Sequence, residues 1–478
     1  MSYIQGMDRH QVQLLPPTVD EYVEGDAPVR AIDAFVAGLD LCELGFRTAP
    51  ADTGRPSYDP AALLKLYLYG YLHRIRSSRR LEAETHRNLE VIWLLGGVRP
   101  DHWTIAAFRR EHRARFKALF REFNLLCRKL ELFGAELIAI DGAKFKAVNS
   151  PRRHYTAEQL RELVAHIEAR IEGYLQQLDG ADAEQAGAPE RPGAKELAQK
   201  LAQLKDRRAC YQQLQETLAA TQQNEVSLTD PDCRGQRKVG VGYNVQIAVD
   251  AKHDLIVAPE VVQDQNDLAQ LHPMAEAAQA QLPSEKLTVV ADAGYHEAGQ
   301  LENCEQAKIE TYVPAPAGTS GRTTEGMPVY PKTNFTYQAA TDSYRCPAGQ
   351  ELPFACEGHH RGKLRRYYYN AAACATCAAK AWCTRAAYRR LSRLPNEAVV
   401  ERQAARVSAK PEVVRKRKTI VEHVFGTLRL NGHDTFLCRG LEMVRAEFTL
   451  SALAYNWRRV LNVKGVMEIL KHLQPTAA

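Results

Sequence analysis

Hydrophobic positions change their spacing twice along this chain. From the N-terminus to about residue 130 they recur at helical intervals. Asp59 followed by Pro60 is a helix start, since Asp caps free backbone amides and Pro is preset for a first turn. The run that follows, AALLKLYLYGYL, is apolar around most of its circumference, which predicts a buried helix, and it leaves through Arg74, Arg76, Arg79 and Arg80. Gly96-Gly97 stops the next helix, and Pro100-Asp101 opens another, DHWTIAAFRREHRARFKALFREFNLL. Short helices joined by tight turns predict a helix-turn-helix arrangement within an all-α region over residues 1–130. Arg109, Arg110, Arg113, Arg115 and Lys117 are then available to DNA phosphates, or form an ordinary solvated face.

From Ala135 the period shortens. ELIAIDGAKFKAV predicts a strand, a turn at Asp141-Gly142 and a second strand. Residues 156–223 return to helical spacing in two stretches. Leu160, Val164, Ile167 and Ile171 lie on the first stripe, Leu197, Leu201, Leu204 and Tyr211 on the second, with GADAEQAGAPERPG between them. An antiparallel helical hairpin, inserted over residues 151–235, is expected. VGYNVQIAVDAKHDLIVAPEVV predicts a β-hairpin turning at Asp250–Asp254. Asn266-Asp267 caps the helix LAQLHPMAEAAQAQL, and KLTVVADAGY is a buried strand ending in a carboxylate. Residues 315–400 are poor in apolar positions and rich in cysteine, a second insertion, and the chain closes in helices. The expected class is α/β: a mixed sheet over 131–478 with two insertions, preceded by the helical region.

Composition narrows the class without choosing a function. The chain has 478 residues, 45% apolar and 25% charged, with 63 Lys plus Arg against 57 Asp plus Glu, a net charge of +6. That is ordinary for a soluble globular protein of several domains, which needs no disulfide scaffold. The first residues lack the pattern of a secretory signal, so a cytoplasmic protein is expected, with its eleven cysteines as thiols or metal ligands. Ala61–Leu72 is far shorter than the roughly 20 apolar residues that cross a bilayer, and no membrane role is expected.

Three carboxylates stand out. Asp141 and Asp292 each end an apolar strand, where ligand sites gather in α/β sheets. Glu422 sits on a helix between Ile420, Val421, Val424 and Phe425. Carboxylates from three elements suit hard divalent cations such as magnesium, and two such ions can clamp an in-line phosphoryl displacement. Taken singly, each also reads as a turn, a strand end or a helix surface. Cys374-x-x-Cys377 with Cys383 and Cys346 matches a tetrahedral structural zinc site, with Cys356, His359 or His360 as alternative ligands and four reduced thiols as the plainer alternative. Between Glu401 and Lys418 seven basic residues face two acidic ones, an excess of +5 suited to a nucleic-acid backbone. Tyr367–Tyr369 beside Arg365 and Arg366 suits packing on a sheet better than base stacking.

The ordered segments IDGAKFKAVNS, GYNVQIAVD, ADAGYHE and RKRKTIVEHVFGTLR resemble those of bacterial insertion-sequence transposases of the DDE type, from about Tyr58 to Trp457. That resemblance implies a ribonuclease-H-like core in which Asp141, Asp292 and Glu422 bind two Mg2+ (or Mn2+) ions, and Gly294 and Tyr295 belong to the second motif. It implies a DNA-binding helical domain before the core, and a cysteine-bearing insertion before the Glu that holds Zn2+. The family signature around the Glu places Tyr, Arg and Lys where this chain has Arg415, Lys418 and Arg429, so the tyrosine is missing; Arg417 matches the Arg after a shift of one. The implied activity is binding of terminal inverted repeats, metal-dependent strand cleavage and transfer of the 3′ hydroxyl to target DNA. At least a dimer would act, on double-stranded DNA at the nucleoid. A metal nuclease that does not join, and a non-catalytic DNA-binding protein, are the alternatives.

Overall fold

Local rules place most element boundaries. The computed structural model describes residues 17–49, 56–150, 153–184, 192–237, 239–282, 286–316, 329–360 and 362–473. Among the described residues six α-helices come first: α1 (Pro28–Ala37), α2 (Pro60–Leu72), α3 (Ser78–Arg87), α4 (Leu89–Leu94), α5 (His102–Glu111) and α6 (Phe116–Lys129). Asp59 accepts the Ala61 N–H at 2.8 Å ahead of Pro60, and Asp101 accepts the Thr104 N–H at 2.7 Å. Gly96 and Gly97 end α4 at φ +59° and +81°, angles that a side chain would oppose.

The sheet follows, with its insertions: β1 (Leu137–Lys146), β2 (His154–Thr156), α7 (Ala157–Glu184), α8 (Pro192–Thr221), β3 (Glu225–Ser227), β4 (Arg234–Gln236), β5 (Gly240–Asp250), β6 (Ile256–Val262), α9 (Leu271–Gln279), β7 (Thr288–Val290), α10 (Ala298–Gln306) and β8 (Glu310–Tyr312). The second insertion holds β9 (Thr336–Gln338), β10 (Ser343–Arg345), β11 (Glu351–His360), β12 (Lys363–Tyr368), α11 (Ala371–Ala375), α12 (Lys380–Cys383) and β13 (Leu391–Arg393). The described residues close in α13 (Glu397–Ala409), α14 (Pro411–Leu430), α15 (Leu441–Lys464) and α16 (Val466–Leu473).

Across the main sheet the strands run β6-β5-β1-β7-β8, with β4 also pairing the start of β5. β5 lies antiparallel to both β1 and β6, while β1, β7 and β8 are parallel. Alternation along β1 and β5 sends Ala139, Ala143, Phe145, Tyr243, Val245 and Ile247 to one face, where α14, α15 and the N-terminal helices cover them. Ile138, Ile140 and Ala248 face α9 and α10. The mixed α/β class expected from the periodicity is the one found.

The N-terminal helices share one apolar core with α14 and α15. Trp457 of α15 packs on Phe35 and Phe123, with ring centroids 5.3 and 4.9 Å apart. Arg76 reaches from the α2–α3 turn to the buried Glu447 of α15 at 3.1 Å, and Glu447 also accepts the N–H groups of Leu437 and Cys438. By contrast, α7 and α8 bury Leu160, Val164, Ile167, Ile171, Leu204 and Tyr211 against one another. Residues 185–191 of the expected linker lie outside the described residues, while Gly180–Glu184 continue α7. The five-stranded sheet β13-β12-β11-β10-β9 has its own small core of Phe335, Tyr344, Leu352, Tyr368 and Leu391.

Three local expectations are corrected. β1 does not turn at Asp141-Gly142 but runs straight through, pairing with β5 from Ile138 to Lys146. α9 begins four residues after Asp267, because that side chain is bound elsewhere. β7 stops at Val290, so Asp292 stands beyond the strand as the cap of a short 3-10 turn, Ala293–Tyr295.

Candidate active site

Parity along β1 puts Asp141 in the row of Ala139 and Ala143, on the face that α14 crosses. There Arg417 of α14 donates to Asp141 Oδ2 at 2.7 Å, and the Gly142 N–H donates to Oδ1 at 2.9 Å. Both partners of the ion pair are largely buried, at 12% and 17% side-chain exposure. Burial dominates the carboxyl's proton affinity and, against the pull of Arg417, raises its pKa to about 6, with the nearby Asp292 and Asp267 charges adding to the rise. Asp292, on the turn beyond β7, accepts the Gly294 N–H at 2.8 Å. The structure therefore brings two of the three expected carboxylates into one electrostatic neighbourhood.

Glu422 stands apart from them. It is exposed on α14, five residues beyond Arg417 and so turned well away from that side chain, and it has no hydrogen bond or ion pair among the described residues. At 100° per residue, Arg415, Lys418, Glu422 and Arg429 share one stripe, and all four are exposed. Among the described residues, no group of three or more His, Cys, Asp and Glu side chains is arranged to hold a metal ion.

Asp267, read from the sequence only as a helix cap, belongs to this neighbourhood. Its Oδ1 accepts from Gln246 at 2.7 Å, Asn244 at 2.8 Å and Lys144 at 3.2 Å. Its Oδ2 lies 3.9 Å, and Asp292 Oδ1 2.9 Å, from the point that a Cβ on Gly294 would occupy. Two amides spaced by two, Asn244 and Gln246, in the mostly apolar strand GYNVQIAVD are a signal of this neighbourhood that the sequence reading passed over.

The expected DNA contacts divide by exposure. Arg110 and Arg113 of the α5 region are exposed, with Arg113 folded back onto the Arg110 carbonyl at 2.7 Å. Arg109 turns inward, over the Tyr67 ring at 5.7 Å and beside the Tyr71 hydroxyl at 3.4 Å. Lys117 is paired with Glu260 at 3.0 Å.

Cys346, Cys374, Cys377 and Cys383 line one cavity of about 30 Å³ together with Phe335, Leu352 and Arg389. Burial, with the other three thiols close by, holds the Cys383 pKa up. Cys356 is not among the lining residues, and His359 and His360 are exposed on the β11–β12 ribbon. Tyr368 is buried, Tyr369 stacks on Tyr388 at 4.8 Å, and Arg390 lies 3.6 Å over the Tyr367 ring, so this aromatic run packs within the insertion. No helix among the described residues is long and apolar enough to cross a membrane.

Asp141 within β1, with Asp292 and Asp267 on the turns beside it, defines the general class of a carboxylate site on a mixed α/β sheet. Two family models narrow it: a transposase domain of the DUF772 family matches residues 17–111, and a transposase DDE domain matches residues 345–461. Together they support a DNA transposase, and in particular an insertion-sequence DDE transposase. Arg109, Arg110 and Glu422 fall inside the matched stretches, Asp141 and Asp292 outside them. No curated protein matches the sequence. A piggyBac transposase synaptic complex with hairpin DNA aligns at 7% identity, over 93% of this chain and 79% of that one, with a TM-score of 0.29, a likeness too slight to carry an argument.

Proposed function

We propose that the chain cuts DNA at the ends of its element and joins the freed 3′ hydroxyl to a target, with Asp141, Asp292 and Glu422 as the catalytic carboxylates. The observation that carries the reading is that Asp141 of β1 and Asp292 of the turn beyond β7, 151 residues apart in the chain, come into one electrostatic neighbourhood beside the mixed sheet β6-β5-β1-β7-β8. Their oxygens are hard donors, and burial, which raises the Asp141 pKa to about 6 against the pull of Arg417, makes its negative charge costly, which suits a divalent cation. Asp141 and Asp292 would hold Mg2+ or Mn2+, one ion or two; Glu422, exposed and apart from them on α14, would join only if α14 moved. When bound, the metal supplies activation of the attacking oxygen and charge stabilisation at the leaving one. The protein's own part is to hold the two aspartates at fixed separation. Arg417 keeps Asp141 ionised, while Arg415, Lys418 and Arg429 offer phosphate contacts beside Glu422.

We further read residues 1–130 as the part that meets the terminal inverted repeats, through Arg110 and Arg113, with 131–478 as the catalytic part and at least two chains in the active complex. Residues 151–235 and 315–400 are its insertions. A structural Zn2+ would be held by Cys346, Cys374, Cys377 and Cys383, whose soft sulfurs line one cavity of about 30 Å³ but are not arranged to hold an ion in this structure.

The test is incubation of the full chain with duplexes carrying the inverted repeats that flank its gene, with magnesium or with EDTA. Cleaved and joined products that need the metal, and that vanish in Asp141→Asn, Asp292→Asn and Glu422→Gln while end binding persists, are expected. Cleavage by these variants, or none by the native chain on any flanking repeat, overturns the reading.

A further inference from the structure

The buried polar residues of β5 do more than close the sheet. Asn244 and Gln246 are both fully buried and two residues apart, so they share a face of the strand. Gln246 is the cross-strand partner of Gly142, the residue after Asp141. Its side-chain nitrogen donates to Asp267 Oδ1 at 2.7 Å and to Asn244 Oδ1 at 2.9 Å, and its oxygen accepts the Tyr295 hydroxyl. Tyr295, itself fully buried, ends the turn that Asp292 caps. β5, paired along the strand of Asp141, is thus tied by one side chain to the turn of Asp292.

The direction of these bonds is forced. A carboxylate only accepts, so the end of the Gln246 amide that faces Asp267 must be the NH2 group. Asn244 and Lys144 converge on the same oxygen of Asp267 and keep that carboxylate in place. The Gln246 carbonyl oxygen is then left to face Tyr295, whose hydroxyl becomes a donor. Gly142 makes the room: a Cβ there would stand 2.4 Å from Gln246 Nε2, 2.9 Å from Asp267 Oδ1 and 3.0 Å from the Tyr295 oxygen.

We infer that Gln246 is a positioning residue that holds Asp292 at its distance from Asp141, and that Asp267 fixes which way its amide points. This rests on the carboxylate reading proposed above. Groups that orient metal ligands typically change metal affinity by tenfold to a hundredfold when removed. The consequence is read without DNA, as Mn2+ binding to the full chain by isothermal titration calorimetry, alongside the melting temperature. Asp141→Asn is expected to abolish binding. Gln246→Met and Tyr295→Phe are each expected to weaken it about tenfold or more. Their double variant is expected to weaken it no further than the worse single one, because both delete the same bond.

Native Mn2+ affinity in both single variants, with or without a lower melting temperature, overturns the inference if Asp141→Asn has lost binding. Additive losses in the double variant overturn it too. Native affinity in Asp141→Asn would instead overturn the carboxylate site itself. Should Gln246→Met not fold, Tyr295→Phe, which removes a single atom, decides alone.

Discussion

Asp141 gives the sharpest quantitative prediction, because its charge is costly where it stands. In water an aspartate carboxyl has a pKa of 3.8, and here burial lifts it to about 6 in spite of Arg417. A group that binds its proton more tightly in the folded chain stabilises the fold when protonated. That contribution is complete below the unfolded value and is lost as pH rises through the folded one. Across the window from 3.8 to about 6, at about 1.4 kcal/mol per decade of proton affinity, the metal-free native chain loses about 3 kcal/mol. Asp141→Asn keeps the shape and an oxygen for Arg417 but has no charge to bury. In EDTA, urea unfolding should therefore find the variant more stable than the native chain by up to about 3 kcal/mol above pH about 7, with the gain shrinking toward zero below pH about 4. A variant equally or less stable above neutrality, or a gain independent of pH, would refute the reasoning. The same cost explains why a cation is welcome: a divalent ion should stabilise the native chain more strongly at high pH than at low.

Further outcomes follow from other contacts. Arg76→Met strands the carboxylate of Glu447, which has no exposed side-chain surface, and should cost about 3–5 kcal/mol in denaturant unfolding, loosening the N-terminal helices from α15. Gly142→Ala drives a methyl into Gln246, Asp267 and Tyr295, and should lower Mn2+ affinity in calorimetry more than Ala143→Gly, the adjacent change on the opposite face. Purified chain should carry close to one zinc per chain by elemental analysis, and Cys374→Ser should lose it along with the fold of the insertion; metal-free chain with an unchanged melting profile would count against the zinc site.

How much of this was legible in the sequence differs by element. Helix starts at Asp59-Pro60 and Pro100-Asp101 were readable because a cap and a first-turn proline act within four residues. The β5–β6 hairpin and the helical hairpin α7–α8 were readable because each buries its own stripe against a neighbour in the chain. Asp141-Gly142 was misread: as a local pair it favours a turn, but cross-strand pairing from Ile138 to Lys146 overrides that preference, and the glycine answers to packing instead. Arg109 looked like its exposed neighbours and turned inward, because the Tyr67 ring and Tyr71 hydroxyl that take it lie 38 residues or more earlier.

The sequence by itself determined the mixed α/β class and many of its local elements, and it nominated the candidate residues, because periodicity, caps and spacing are properties of neighbours in the chain. Tertiary structure alone decided that Asp141 meets Asp292, Asp267 and Arg417, that Glu422 faces solvent with Arg415, Lys418 and Arg429, and that four cysteines from different elements share one small cavity. The reason is physical. Burial and electrostatic coupling depend on distance through space, and residues 126 or more apart in the chain become neighbours only when the sheet closes and α14 crosses it.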